Sequence, residues 1–197
     1  VADIDRIRHV ATRVKAAFDR GDEVAVVVSA MSNTTDELVR LTRSVVAEPD
    51  PQEYDVVVAA GEQITAGLLA MTLQDMGVPA RSWLGWQIPI ETDGAHSAAR
   101  VTRIGIEELE KCFADRKVSV IPGFQGIGPD NRITTLGRGG ADLSAVAVAA
   151  AVNADRCDIY TDVEGVFTSD PRIVTKARKL DKITYEEMLE MASLGAK

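Results

Sequence analysis

The chain has 197 residues, 46% of them hydrophobic and 26% charged, a globular mix long enough to bury on the order of 70% of the unfolded surface. Thirty acids against 22 bases leave a formal net charge of −8, which argues against a general nucleic-acid or anionic-membrane surface. Two cysteines, Cys112 and Cys157, are too few for a disulfide framework or a cysteine-built zinc site and read as small buried hydrophobes of a reducing compartment.

From Ala2 to Arg20, Ile4, Ile7, Val10, Ala11, Val14 and Phe18 recur at helical spacing, with Asp3 placed to cap and Gly21 to stop. Glu23–Ser29 is a β-branched run suited to a strand buried on both faces. Thr34–Ala47 returns to helical spacing and ends before Pro49. Asp55–Ala60 fits a short strand or a helix start, and Glu62–Met76 reads as a buried helix closed by Gly77. Ala80–Leu84 is strand-like, Gly85–Ser97 a loop, Val101–Ile104 a short strand and Ile106–Asp115 a helix. Val118–Pro122 is a strand running into Gly123, after which Gly126, Gly128 and Asp130-Asn131 mark a hairpin turn. Ala141–Asn153 is a small-residue helix, Asp158–Thr161 a strand end and Tyr185–Ala196 a last helix.

This alternation of strands and helices predicts βαβ units: one α/β domain with a largely parallel sheet and helices on both faces. No apolar run approaches the roughly 20 residues that span a bilayer, and the acidic, amphipathic start is no signal peptide. The expectation is a cytoplasmic protein.

In such a fold ligands bind beyond the carboxyl ends of the strands, and three strand ends here run into unusual turns. Val28-Ser29-Ala30-Met31-Ser32-Asn33-Thr34-Thr35 opens a helix with a run of hydroxyls. That suits an anion, or simple capping by Thr34 or Thr35 with Glu37 closing a capping box. Gly137-Arg138-Gly139-Gly140-Ala141-Asp142 opens the Ala/Val helix. Consecutive glycines let backbone amides approach a phosphate, and arginine can grip a carboxylate or phosphate through two hydrogen bonds. Its spacing is neither a Walker A loop nor GxGxxG. Asp142 serves either the helix dipole or a nearby lysine. Thr161-Asp162-Val163-Glu164-Gly165-Val166-Phe167-Thr168-Ser169-Asp170 sets apolar residues beside polar turn groups, as an adenine slot or an ordinary loop would.

Glu62 opens an otherwise apolar helix, where the dipole favours a carboxylate anyway; the functional alternative is holding an ammonium group. His9 and His96 read as surface or packing residues. No spacing of His, Cys and carboxylates suggests a metal cage, and none suggests a Ser-His-Asp arrangement.

Five stretches in one order carry a more specific signal: VSAMSNTTDEL (Val28–Leu38), AAGEQITAGLLA (Ala59–Ala70), VIPGFQGIGPDNRITTLGRGGADLSAVAVAAAV (Val120–Val152), IYTDVEGVFTSDPR (Ile159–Arg172) and YEEMLEMASLGAK (Tyr185–Lys197). Together they resemble the catalytic domain of the aspartokinases, within the amino-acid kinase family. GFQG with LGRGG sets that group apart from glutamate, acetylglutamate and uridylate kinases. The resemblance implies a three-layer α/β/α sandwich that transfers phosphate from ATP, with Mg2+, to the β-carboxylate of L-aspartate, the opening step toward lysine, threonine and methionine.

By position, the resemblance places Arg138 on the α-carboxylate of aspartate and Glu62 on its ammonium, with Thr35, Gly139, Gly140 and the amides near Phe124 and Gln125 helping to position the substrate. It places Ser29 near the ATP phosphates, and Thr161, Asp162, Phe167, Thr168, Ser169 and Asp170 along the nucleotide. Lys197 would reach the phosphates and Asp142 would orient lysine ammonium groups. The β-carboxylate is already ionised near neutral pH, so no general base is required and the site must mainly neutralise charge.

The family pattern also has a Lys-Phe-Gly-Gly-Thr-Ser strand ahead of the first helix, a serine where Ala141 stands, and ACT regulatory domains beyond GAK. The expectation is therefore a catalytic domain trimmed at both ends, weakly active or inactive alone and free of feedback inhibition, from a parent that forms homo-oligomers. A glutamate kinase-like enzyme and a nucleotide-binding module without catalysis are the alternative readings.

Overall fold

The computed structural model describes residues 3–137, 139–161 and 165–193. Two compact units divide the chain, Val1–Asp158 and Ile159–Lys197.

The first unit runs α1 (Ile4–Asp19), β1 (Ala25–Val28), α2 (Thr34–Val45), α3 (Pro51–Val58), α4 (Ala60–Asp75), β2 (Ala80–Ser82), β3 (Ile90–Thr92), β4 (Val101–Ile104), α5 (Glu107–Ala114), β5 (Val118–Pro122), β6 (Gln125–Ile127), β7 (Ile133–Thr135) and α6 (Gly140–Ala151). Asp3 caps α1 as its position predicts, accepting the Arg6 N–H at 2.8 Å, and Gly21 leaves the helix at φ +98°.

The central sheet is parallel, in the order β1-β5-β2, and all five residues of β5 are buried. The pleat sends successive side chains to opposite faces, and β5, covered on both, is buried throughout, whereas the edge strand β1 is half-buried except at Val28. Val28, Val118 and Val120 meet Ile7, Ala11 and Val14 of α1 and Ala66, Leu69 and Leu73 of α4 on one face. Ile121, with Ala25 and Val27 against it, meets Leu109 and Cys112 of α5 and Val148 of α6 on the other. Helices thus cover both faces, the α/β/α sandwich that the element order predicts.

A second, mixed sheet has the order β4-β3-β6-β7. Its β6–β7 hairpin turns through Gly128–Arg132, with the Gly128 N–H on the Arg132 carbonyl at 2.9 Å and Asn131 at φ +61°. Strand β3 lies inside the stretch expected to be loop. It is three residues long and is held from outside, antiparallel to β4 and parallel to β6, so no local pattern announces it.

Local chemistry settles one open alternative and overturns other expectations. Asp55–Ala60 is helical because Pro51 starts α3 and Asp50 caps it, accepting from the Gln52 and Glu53 amides at 2.9 and 3.3 Å. The capping box at Thr34, Thr35 and Glu37 does not form. Asn33, at φ +65°, is the N-cap without a side-chain bond, and the Met31 carbonyl takes the Thr34 N–H in a tight turn. Among the described residues no strand covers Asp158–Thr161, and Cys157 is exposed rather than buried. Helices α3 and α4 meet at Ala59, and the span Pro51–Asp75 is 25 residues, long and apolar enough to cross a bilayer by length and composition. Half of its most apolar 18-residue window is buried in the protein, with Leu69 and Leu73 packed in the core.

The second unit carries α7 (Tyr185–Ser193), which starts with a capping box. Thr184 Oγ1 accepts the Glu187 N–H at 3.2 Å while Glu187 Oε2 accepts the Thr184 N–H at 2.9 Å. The helix predicted to reach Ala196 is described to Ser193; Leu194–Lys197 lie outside the described residues. Before it, Phe167 bridges Lys179 antiparallel, with the Leu180 N–H on the Val166 carbonyl at 2.8 Å.

Candidate functional site

The Gly123 N–H donates to the Val28 carbonyl at 2.9 Å, so the chain leaves β1 and β5 side by side at the carboxyl edge of the parallel sheet. Three helices begin around that edge. Thr35 from the first turn of α2, Glu62 from the first turn of α4, and Gly140 and Asp142 from the first turn of α6 line one open cavity of about 210 Å³, with Phe124 beside them. Each helix start directs unpaired N–H groups and a partial positive charge toward its end, so the wall facing a ligand favours anionic groups.

Two carboxylates, Asp142 and Glu62, interrupt that wall, and Glu62 is the buried one. Its side chain is buried, with 4% of the residue exposed. Oε1 accepts the Ala30 N–H at 3.0 Å, whereas Oε2 is buried with no hydrogen-bond partner. Burial raises its pKa above the ordinary 4.5, with the Ala30 N–H pulling the other way. A buried carboxylate oxygen left without a donor is costly in an empty site and favourable once a cationic donor arrives. Gly61 makes this placement possible: a Cβ there would stand 2.9 Å from the Ala30 Cβ and push α4 away from the β1–α2 turn.

The glycine turn has a comparable steric reason. A Cβ at Gly140 would lie 2.7 Å from Phe124 Cδ2, and Gly139 takes φ +78° at the N-cap of α6. Phe124 itself is at φ +66°, and its N–H donates to Ser144 Oγ at 3.1 Å; that hydroxyl donates in turn to the Gly140 carbonyl at 2.8 Å. Ser144, which the sequence reading passed over, therefore ties the end of β5 to the start of α6.

The structure thus gathers Thr35, Glu62, Phe124, Gly139, Gly140 and Asp142 around one cavity. Gln125 is set behind it, fully buried, with Nε2 on the Ala59 carbonyl at 3.0 Å and Oε1 accepting from Gln63 Nε2 at 3.1 Å. The Phe124 amide is likewise engaged within the protein. Ser29 is the first residue after β1, at the same sheet edge but outside the cavity lining. Arg138, Asp162 and Lys197 lie outside the described residues.

In the second unit, Thr161 and Ser169 are exposed. Thr168 Oγ1 accepts the Arg178 N–H at 3.0 Å, while Asp170 accepts the Arg172 N–H at 2.9 Å and pairs with its guanidinium at 2.7 Å. These bonds shape the Phe167–Asp170 turn.

Asp55 was missed altogether as a residue of consequence. It is fully buried, and Oδ2 accepts from His96 Nδ1 at 2.8 Å and from the Ser97 and Thr135 amides, each at 3.0 Å. Oδ1 accepts from the Thr135 hydroxyl at 2.6 Å and from Ser97 Oγ at 3.3 Å. The hub fixes the end of β7 just before the chain enters Leu136-Gly137 and the α6 turn. His96 is accordingly the partner of a buried acid. The available signal was a lone carboxylate in the apolar run of α3, which must be satisfied if buried. Among the described residues no group of three or more His, Cys, Asp or Glu side chains could hold a metal ion.

The amino acid kinase family matches residues 1–197 of this sequence. The chain belongs to that family. An aspartate kinase of Stutzerimonas stutzeri is 52% identical over 197 residues, covering all of this chain and 48% of the relative. Aspartokinase 2 of Bacillus subtilis is 50% identical over 196 residues with the same coverage. The chain thus spans about half the length of the curated relatives it matches. Among solved structures, aspartate kinase from Synechocystis superposes with a TM-score of 0.82 at 43% identity, covering 99% of this chain and 32% of the other. Aspartokinase III of E. coli, in complex with aspartate and ADP, gives 0.81 at 26% identity, covering 99% of this chain and 54% of the other. As an amino acid kinase fold, the sandwich carries its cavity where the family's open α/β sheet is expected to bind ligands.

Proposed function

We propose that this segment is the catalytic part of an aspartate kinase, transferring the γ-phosphoryl group of ATP to the β-carboxylate of L-aspartate to give ADP and 4-phospho-L-aspartate. The observation that carries the reading is the buried, unpartnered Oε2 of Glu62 in a cavity otherwise rimmed by helix N-termini. An α-amino acid offers the matching charges: an ammonium for Glu62 and carboxylates for the helix ends. About 50% identity to aspartate kinases over the whole chain, and the likeness to an enzyme solved with aspartate and ADP, support aspartate as that amino acid.

In this reading Glu62 binds the ammonium, Arg138 the α-carboxylate, and the start of α6 lies beside the reacting end with Asp142 orienting cationic groups. Thr35 lines the cavity from α2. The nucleophile is the substrate's own carboxylate, so the protein's task is to hold two anions together and spread their charge. Ser29, Thr161, Asp162, Phe167, Thr168, Ser169, Asp170 and Lys197 are assigned to the nucleotide on their motifs. Mg2+ would arrive with the phosphates, which supply most of its oxygen ligands and whose charge it neutralises. The biosynthetic role places the enzyme in the cytoplasm.

The test is a hydroxamate or ADP-release assay on the protein containing this segment, with ATP and either aspartate or glutamate. Aspartyl hydroxamate well above the glutamate signal is expected. Preference for glutamate, or nucleotide binding that raises the melting temperature without turnover of aspartate, would overturn the assignment.

A further inference from the structure

Glu62 can serve an ammonium only if the first turn of α4 is held still, and that turn lies at a helix junction. Helices α3 and α4 join at Ala59, which keeps helical backbone angles (φ −64°, ψ −16°) and is buried with none of its surface exposed. A side chain from another element takes its carbonyl: Gln125 Nε2 donates to it at 3.0 Å. The other end of the same amide accepts from Gln63 Nε2 at 3.1 Å, so Gln125 holds α4 on both sides of Glu62 in sequence, at residues 59 and 63. From Ala59 to Glu62 is less than one helical turn, and a shift at the first is passed on almost undiminished to the second.

The opposite side of the amide is also confined. A Cβ at Gly85 would come within 3.0 Å of Gln125 Cγ and Oε1, so the loop after β2 closes against it and leaves it little room to swing. Its neighbour in sequence, Phe124, forms a wall of the cavity. One residue therefore ties the wall supplied by the β5–β6 corner to the carboxylate supplied by α4.

We propose that Gln125 is a positioning residue for the amino-acid substrate: it never touches the substrate, and its amide fixes the α3–α4 junction so that Glu62 presents Oε2 to the ammonium. The inference rests on the aspartate kinase reading and deepens it. A buried amide serving stability alone would, when altered, lower the amount of folded enzyme and leave both Michaelis constants in place. A positioning amide gives a different signature, because the ammonium contact belongs to only one of the two substrates.

The test uses the active protein containing this segment. Gln125→Met keeps the volume and removes both bonds; about a tenfold rise in KM for aspartate is expected, with KM for ATP within about twofold and kcat within about threefold. Gln125→Glu keeps the acceptor for Gln63 but donates to the Ala59 carbonyl only when protonated. Its KM for aspartate should therefore climb with pH relative to that of Gln125→Met. Gln63→Met should move KM for aspartate in the same direction by a smaller factor, and it carries the test together with Gln125→Glu if Gln125→Met does not fold. Equal changes in both Michaelis constants, or none, together with no new pH dependence in Gln125→Glu, would overturn the proposal. A wild-type protein without aspartate turnover would instead overturn the functional reading beneath it.

Discussion

The two units of this chain solve polar chemistry in opposite ways. In Val1–Asp158 the important polar groups are buried and reach across long stretches of sequence: Asp55 to Thr135, Glu62 to Ala30, Gln125 to Ala59. Among the described residues of Ile159–Lys197 they are exposed or half-buried and act on near neighbours, as Asp170 does on Arg172 and Thr184 on Glu187. Burial multiplies the effect of each group, because a donor or acceptor lost in the interior is not replaced by water. Substitutions should therefore have large, specific consequences in the first unit and small, local ones in the second.

The sharpest way to break that contrast is Glu62→Gln. Losing the charge that faces the substrate's ammonium should raise KM for aspartate roughly a hundredfold or more, an ion-pair loss in a desolvated site, with KM for ATP little changed. The ligand-free protein should respond in the opposite sense. The folded-state pKa of Glu62 is raised, so its contribution to stability is fully present below 4.5, the value in the unfolded chain, and is lost as pH rises through the raised folded value. Relative to wild type, Glu62→Gln should gain melting temperature as pH rises through that window and show its smallest advantage below it. A melting difference that does not change with pH would mean the carboxylate is not desolvated.

Next in size is Asp55→Ala, which strands the His96, Ser97 and Thr135 donors in the interior. A loss of about 3–5 kcal/mol in denaturant unfolding is expected, with Asp55→Asn costing less. A surface-like change of a few tenths would show that the hub is not needed. Gly140→Ala should follow, at about 1–3 kcal/mol, since a methyl group must displace Phe124 from 2.7 Å away. That variant should also weaken aspartate binding, measured by KM, because Phe124 lines the cavity. Smallest is Thr168→Val in the second unit. Hydrogen exchange at the Arg178 amide should speed up roughly fivefold while β5 amides stay as protected as before. Equal loosening in β5 would mean the contrast between the units is wrong.

The patterns that were legible without coordinates are those set by short-range rules. Asp3 and Gly21 bound α1, the Gly128–Arg132 turn closes a hairpin, and β1 and β5 read as strands, although β1, expected to be buried on both faces, is half-buried at the sheet edge. Three of the five motifs supply Thr35, Glu62, Phe124, Gly139, Gly140 and Asp142, which share a cavity. Strand β3 was not legible, because three residues gain their conformation from partners on either side. Gln125 was read as helping to position the substrate, but only the packing of β6 against the α3–α4 junction shows where its amide goes.

The order of amino acids alone determined which segments coil, extend or turn, and which family's motifs they spell, because capping, pleat alternation and glycine freedom act within a few residues. Only the tertiary structure decided that Asp55 is a hub, that Glu62 keeps one oxygen unsatisfied, and that three helix starts meet at one sheet edge. Those properties depend on which groups are brought together, and on the water excluded when they meet; neither is written in any one stretch of chain.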